Sequence, residues 1–319
     1  MATFRHDVNS IISDNLTLLG KEARSFEERR LAQLRERALL IARSDELLES
    51  DSRTEEFSAL FDMQLCEDAI PEAEDYLTSK CASELFFDKL TVCKFLAHEY
   101  HKRRINITER LLGNTPMSDS VRVAYFQNAY ADAAFRIFSG VIDNLSAVYA
   151  SDFTAVCEEV YYGRADVCML PLDSSRDAKL ISFYRLIDKY ELCPVFSCDV
   201  TTPDGNVTTR YALLKREFTL PPKERLNVSD LCFFEFNIIP DKNSSLGDVL
   251  AAAKECGLTL YKADSMPLSY STSEFAYDII LKIGSADGLD AFVLFLTLAV
   301  PEYEPIGIYS HIHSKNTNE

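Results

Sequence analysis

Positive charge is scarce in this 319-residue chain: 33 Lys and Arg stand against 50 Asp and Glu, a formal net charge of −17. A nucleic-acid-binding surface needs a basic footprint, so that class of partner is excluded. An anionic small molecule is not, because a basic pocket can sit in an acidic protein. The nine cysteines (66, 81, 93, 157, 168, 193, 198, 232 and 256) contain no Cys-x-x-Cys and are odd in number. Most lie in apolar runs and read as small buried side chains in a reducing compartment, not as a disulfide framework. Histidine is rare too, with five in all. His98 and His101 stand i, i+3 on one helical stretch but lack a third ligand, so no metal is expected. The chain opens without a basic-then-apolar leader, and no apolar run reaches the ~18 residues of a membrane span. The longest run, 291–300, is interrupted only by Thr297 and suits a domain helix. The expectation is a soluble cytoplasmic protein, with neither metal nor other cofactor, that touches no membrane and no nucleic acid.

The length suggests two or three domains. Glycine and proline are sparse over 1–112, where Val8, Ile11, Ile12, Leu16 and Leu19, then Leu31, Leu34 and Ala38, recur at helical spacing. Asp51 or Ser52 could cap a second helix running to about 66. A turn at Ile70-Pro71-Glu72 precedes a third helix over about 74–104. After a linker at 113–119 the pattern alternates. Strands are expected at 121–125, 166–170, 193–200 and 211–214, and helices at 129–138, 152–161 and 180–190. This alternation argues for a partly parallel sheet with ligands at the C-terminal ends of its strands. Beyond Pro221-Pro222, strands at 232–236, 258–262, 276–283 and 306–309 and helices at 245–256 and 288–300 make a βαββαβ, ferredoxin-like order. The fold class is therefore α/β and α+β multidomain: a helical unit (1–112), a single α/β lobe (120–218) and a ferredoxin-like domain (228–313).

One stretch carries candidate chemistry. Thr209-Arg210-Tyr211 opens a strand, whose alternation sends Thr209 and Tyr211 to one face and Arg210 to the other. A hydroxyl beside a phenol could donate a proton to a small acid or alcohol. The same residues also make an ordinary strand start. Between the strand at 193–200 and this one, Pro203-Asp204-Gly205-Asn206 reads as a hairpin turn.

Three segments, in order, resemble the motifs of prephenate dehydratases. Val123-Ala124-Tyr125 with 129–134 is similar to the first. Gly163-Arg164-Ala165-Asp166 and Leu170-Pro171-Leu172-Asp173-Ser174-Ser175 look like Gly-x-Ala-Asp and Leu-Pro-Ile-Glu-Asn-Ser, and Thr209-Arg210-Tyr211 looks like Thr-Arg-Phe. The resemblance implies a cleft lined by Asp173, Ser174, Ser175, Thr209, Arg210 and Tyr211. There Thr209 would donate the proton that lets the ring hydroxyl of prephenate leave with carbon dioxide. Phe126-Gln127-Asn128 stands where the family has a glycine-rich turn, and the family's second lobe is reduced to 201–208.

The remaining two units carry resemblances of their own. Arg5-x-x-Val8-x-x-Ile11 followed by Leu16-x-Leu18-Leu19 looks like the opening of bacterial helical chorismate mutases, which implies that Arg5 binds a carboxylate; other expected basic positions fall on Glu22, Gln33 and Asp45. The 228–313 unit resembles the regulatory ACT domain of the dehydratases. Its effector motifs fall on Ser244, Ser245 and Leu246 and on Asp264, Ser265, Met266 and Pro267, with Met266 replacing an arginine and Ser244 a glycine. The whole chain looks like a shortened bifunctional chorismate mutase–prephenate dehydratase. It implies prephenate or a related small carboxylate as substrate, phenylalanine as effector, and a homodimer or higher homo-oligomer. Three functions follow: a dehydratase of phenylalanine biosynthesis, a catalytically silent regulatory or dimerisation protein that binds an aromatic amino acid, or a chorismate mutase.

Overall fold

A computed structural model describes residues 2–43, 53–62, 74–228, 231–240, 245–267 and 275–313. The chain divides into two compact units, 1–104 and 105–319.

The first unit is helical: α1 (Ala2–Ile41), α2 (Arg53–Asp62) and α3 (Glu74–Lys102). On α3, Phe86, Leu90, Cys93, Ala97 and Tyr100 form a buried stripe at steps of three and four residues, the signature of one helix face. Leu34, Ala38 and Ala42 of the α1 segment and Phe57 and Phe61 of α2 are buried as well. The Arg30–Asp88 ion pair (2.7 Å) ties α1 to α3. Leu16 and Leu19, which recur at helical spacing, are exposed on α1. The cap at 51–52 and the turn at 70–72 lie outside the described residues.

The second unit opens with α4 (Ile107–Leu112), capped by the Asn106 side chain. The alternation that follows builds β1 (Val121–Phe126), α5 (Ala129–Ser139), β2 (Leu145–Ala150), α6 (Phe153–Tyr161), β3 (Val167–Ser174), β4 (Ala178–Lys179), α7 (Ile181–Lys189), β5 (Cys193–Thr201) and β6 (Thr208–Lys215). A single turn, α8 (Lys223–Leu226), leads to β7 (Cys232–Ile238), α9 (Leu246–Glu255), β8 (Thr259–Pro267), β9 (Phe275–Lys282), α10 (Ala286–Ala299) and β10 (Tyr303–Ile312). The result is a mixed α/β unit around one large sheet, ordered β2-β1-β3-β6-β5-β10-β7-β9-β8, with β4 attached to β3.

Strands β2, β1 and β3 run parallel; β6 lies antiparallel between β3 and β5. One face packs Val121, Val123, Phe138, Met169, Tyr211 and Leu213 around α5. The other packs Ala124, Cys168, Leu170, Ala212 and Leu214 against α6 and α7. The strand order β10-β7-β9-β8 is that of a split βαβ unit. Its helix-bearing face is aromatic: Phe234 and Phe236 both meet Phe292 of α10.

The two halves of the sheet join where residues 310–312 of β10 pair in parallel with 196–198 of β5. Gly307 makes this approach possible, since a Cβ there would lie 2.6 Å from two ring carbons of Pro194. Like the short α4, β4 and α8, strand β2 is not announced by the sequence pattern. It is an edge strand with both faces partly in solvent, so Leu145-Ser146-Ala147-Val148-Tyr149-Ala150 lacks a clean apolar alternation. Among the described residues no helix is long and apolar enough to cross a membrane.

Candidate functional site

The C-terminal end of β3 and the start of β6 bring the motif residues together. Ser174 stands opposite Thr209 in the β3–β6 register, and Val200 of β5 flanks Thr209 on its other side. The Ser175 N–H donates to the Thr208 carbonyl (2.8 Å), and the Thr208 N–H donates to Ser175 Oγ (3.0 Å). Thr201 and Thr208 share a hydroxyl contact of 3.0 Å. Ser174 Oγ accepts the Arg176 N–H (3.2 Å), which turns the chain back into β4. The Thr209 hydroxyl, half-buried, is the least committed oxygen of this group. Tyr211 lies on the same face, buried against Cys198, and burial pushes its phenol up to about 12.

Strand β6 is joined to β5 by a tight turn. Thr201 pairs with Thr208, the Thr202 N–H donates to the Val207 carbonyl (2.8 Å), and Gly205 holds φ +74°, where glycine carries no steric penalty. The turn expected at 203–206 is thus present, and no lobe faces Thr209 from this segment. At the neighbouring end of β1, Asn128 caps α5: its side-chain oxygen accepts from both Tyr130 N–H (3.0 Å) and Ala131 N–H (2.9 Å). Those first-turn amides would otherwise be open to a carboxylate. Tyr125 donates to Asp132 (2.9 Å) and its ring meets Tyr149 of β2 edge-on at 5.3 Å. Tyr149 lies on β2, which the sequence pattern does not announce.

Arg210 and Asp173 point to the other face, where the C-terminal strands meet them. Arg210 Nε donates to Asp199 Oδ1 (3.0 Å) and Nη2 donates to the Tyr261 hydroxyl (2.7 Å), with the guanidinium 5.1 Å from the Tyr261 ring centroid. Burial alone would weaken its hold on the proton, but the Asp199 carboxylate and Tyr261 raise it further still. Lys262 of β8 pairs with Asp173 (2.7 Å) and with Asp264 (3.0 Å). The cleft read from the motifs therefore divides: Ser174, Ser175, Thr209 and Tyr211 cluster at one strand end, while Arg210 and Asp173 bond to β5 and β8 behind them. Arg5 lies on α1, in the other unit.

A Ser-His-Asp arrangement also occurs behind the sheet. Ser197 Oγ lies 2.9 Å from His311 Nδ1, and His311 Nε2 lies 3.7 Å from Asp199 Oδ2. Ser197 is fully buried, so no substrate reaches it. Burial also lowers His311 to about 4, which keeps the imidazole neutral. This trio is structural, and nothing short of the fold could have assembled it from positions 197, 199 and 311.

Of the effector-motif residues, Ser244 lies outside the described residues. Ser245 caps α9 in a reciprocal box with Asp248, and Leu246 is the first residue of that helix. Asp264, Ser265, Met266 and Pro267 end the edge strand β8, paired with 275–278 of β9. No group of three or more His, Cys, Asp or Glu able to hold a metal occurs among the described residues.

No family model matches the chain, and no curated protein does. Among solved structures, the prephenate dehydratase from Streptococcus mutans is 16% identical with a TM-score of 0.46, covering 60% of this chain and 99% of that one. GqqA, described as a novel type of quorum quenching acylase, is 18% identical with a TM-score of 0.45, covering 59% of this chain and 94% of that one. The prephenate dehydratase from Arthrobacter aurescens in complex with L-Phe is 13% identical with a TM-score of 0.44, covering 59% and 90%. These likenesses are too distant to assign a family or an activity to this chain.

Proposed function

We propose that this chain is a prephenate-dehydratase-like protein that no longer dehydrates prephenate and works as a binding protein for an aromatic amino acid through its C-terminal βαββαβ unit. The observation that carries the reading is the diversion of Arg210 and Asp173 into contacts with β5 and β8. Two further features support it. The segment that should wall the cleft is a hairpin closed by backbone pairing at Thr201 and Thr208. The first-turn amides of α5, which could receive a carboxylate, are occupied by Asn128. A proton donor without groups to hold a dicarboxylate loses both positioning and charge stabilisation, which together make most of such a rate enhancement.

The ligand follows from the resemblance of Ser245-Leu246 and 264–267 to ACT effector motifs, which makes phenylalanine the first candidate and a homodimer the expected assembly. The test combines turnover and calorimetry on the purified chain. Prephenate is expected to stay intact over hours with wild type and Thr209→Val alike, while phenylalanine or tyrosine gives a binding isotherm. Rapid phenylpyruvate formation that disappears in Thr209→Val would overturn the reading in favour of a dehydratase. Chorismate consumption lost in Arg5→Ala would overturn it in favour of a mutase.

A further inference from the structure

The face of the C-terminal sheet turned away from α10 buries charge. Phe234 and Phe236 of β7 point to α10, so Glu235 between them points to the opposite face, where it is 1% exposed. Asp278 of β9, 2% exposed, lies on that same face, opposite Asn237 and one diagonal step from Glu235. Lys179 of β4 ion-pairs with Asp278 Oδ2 and stands 3.7 Å from the ring centroid of Tyr184 on α7. The other titratable groups that act on Glu235 are Tyr184, Tyr309 of β10 and Asp173 of β3, while Lys262 and Asp264 of β8 act on Lys179.

One ammonium therefore serves two carboxyl groups out of water. Both Glu235 oxygens, Asp278 Oδ1 and Asn237 Oδ1 are buried without a hydrogen-bond partner. An ionised Glu235 would face the Tyr184 and Tyr309 hydroxyls beside it and would share Lys179 with Asp278, which leaves its charge out of water under-compensated. A protonated Glu235 becomes a donor, with Asp278 Oδ1 an acceptor on the adjacent strand β9 and Asn237 Oδ1 an acceptor two residues along β7.

We propose that Glu235 holds a proton in the folded protein and donates it to the Asp278 carboxylate across β7 and β9, and that this shared proton latches β4 and α7 onto the C-terminal sheet. The latched segment runs directly out of the Ser174-Ser175 motif, so the candidate site and the C-terminal unit are joined through it. Burial raises the Glu235 carboxyl above its ordinary 4.5, against the pull of Lys179, which agrees with this assignment. A carboxyl raised on folding contributes stability that is complete below its unfolded value and is lost as pH rises through its folded value.

The test is amide hydrogen exchange over residues 178–189 between pH 5 and 9, corrected for intrinsic exchange, in wild type and Glu235→Gln. The glutamine amide donates the same bond without titrating. Wild type is expected to lose protection with rising pH relative to the variant, by up to about tenfold per pH unit until Glu235 ionises in the folded state. Parallel profiles in the two proteins would overturn the latch. Should Glu235→Gln not fold, the infrared spectrum of wild type at neutral pH decides. The inference expects a protonated-carboxyl carbonyl band that shifts in Asp278→Asn, and absence of that band overturns it.

Discussion

Replacing Arg210 with Met separates a structural arginine from a substrate-binding one. The side chain is 10% exposed and its partner Asp199 37%. The change keeps most of the aliphatic stem but removes the bonds to Asp199 and Tyr261 and the stacking on the Tyr261 ring. Hydrogen bonds to charged groups contribute about 1.5–3 kcal/mol each. The guanidinium's own desolvation cost offsets part of this. Asp199 keeps its access to water, so the large penalty of a stranded buried charge does not arise. The net loss is about 2–3 kcal/mol. For a unit the size of 105–319 that corresponds to a drop of roughly 4–12 °C in the melting temperature. The assay is calorimetric unfolding of the full chain, paired with a double-mutant cycle against Tyr261→Phe, for which a coupling of about 1 kcal/mol is expected. A variant that unfolds within about 0.5 kcal/mol of wild type, yet loses affinity for a carboxylate ligand, would show that Arg210 is a free binding group and the reasoning wrong.

Gly307→Ala places a methyl group against the Pro194 ring at the seam of the sheet. A cost of about 1–3 kcal/mol is expected, with faster amide exchange in 310–312 and 196–198, measured by denaturant titration and exchange mass spectrometry. His311 is lowered to about 4 by burial, so its contribution to stability is full above the usual histidine value of 6.5 and falls away as pH drops toward 4. The Asp199 carboxylate opposes the lowering, and the difference between 6.5 and about 4 limits the loss to about 3 kcal/mol; the slope over this window is expected to flatten in His311→Gln, read from thermal melts across pH.

The element pattern was legible because it is local. Apolar period and turn residues place β1, α5, α6, α7 and the βαββαβ order within a few residues, and Pro203-Asp204-Gly205-Asn206 specifies its turn through Gly205. Alternation along β6 was enough to send Thr209 and Arg210 to opposite faces. Strand β2 escaped because an edge strand wetted on both faces carries no alternation, and Tyr149 escaped with it.

What the chain determined by itself is which residues are helix, strand and turn, and which strand neighbours share a face. Only the tertiary structure decided what each face meets. The pairing of β10 with β5 spans more than a hundred residues and rests on one missing Cβ at Gly307. That pairing makes one sheet of two halves, which carries β8 to Arg210 and Asp173 and gathers Lys179, Glu235 and Asp278 out of water. Side-chain spacing reports local geometry, whereas the partner of a buried charge is fixed by strand order, and strand order is not written in any short stretch.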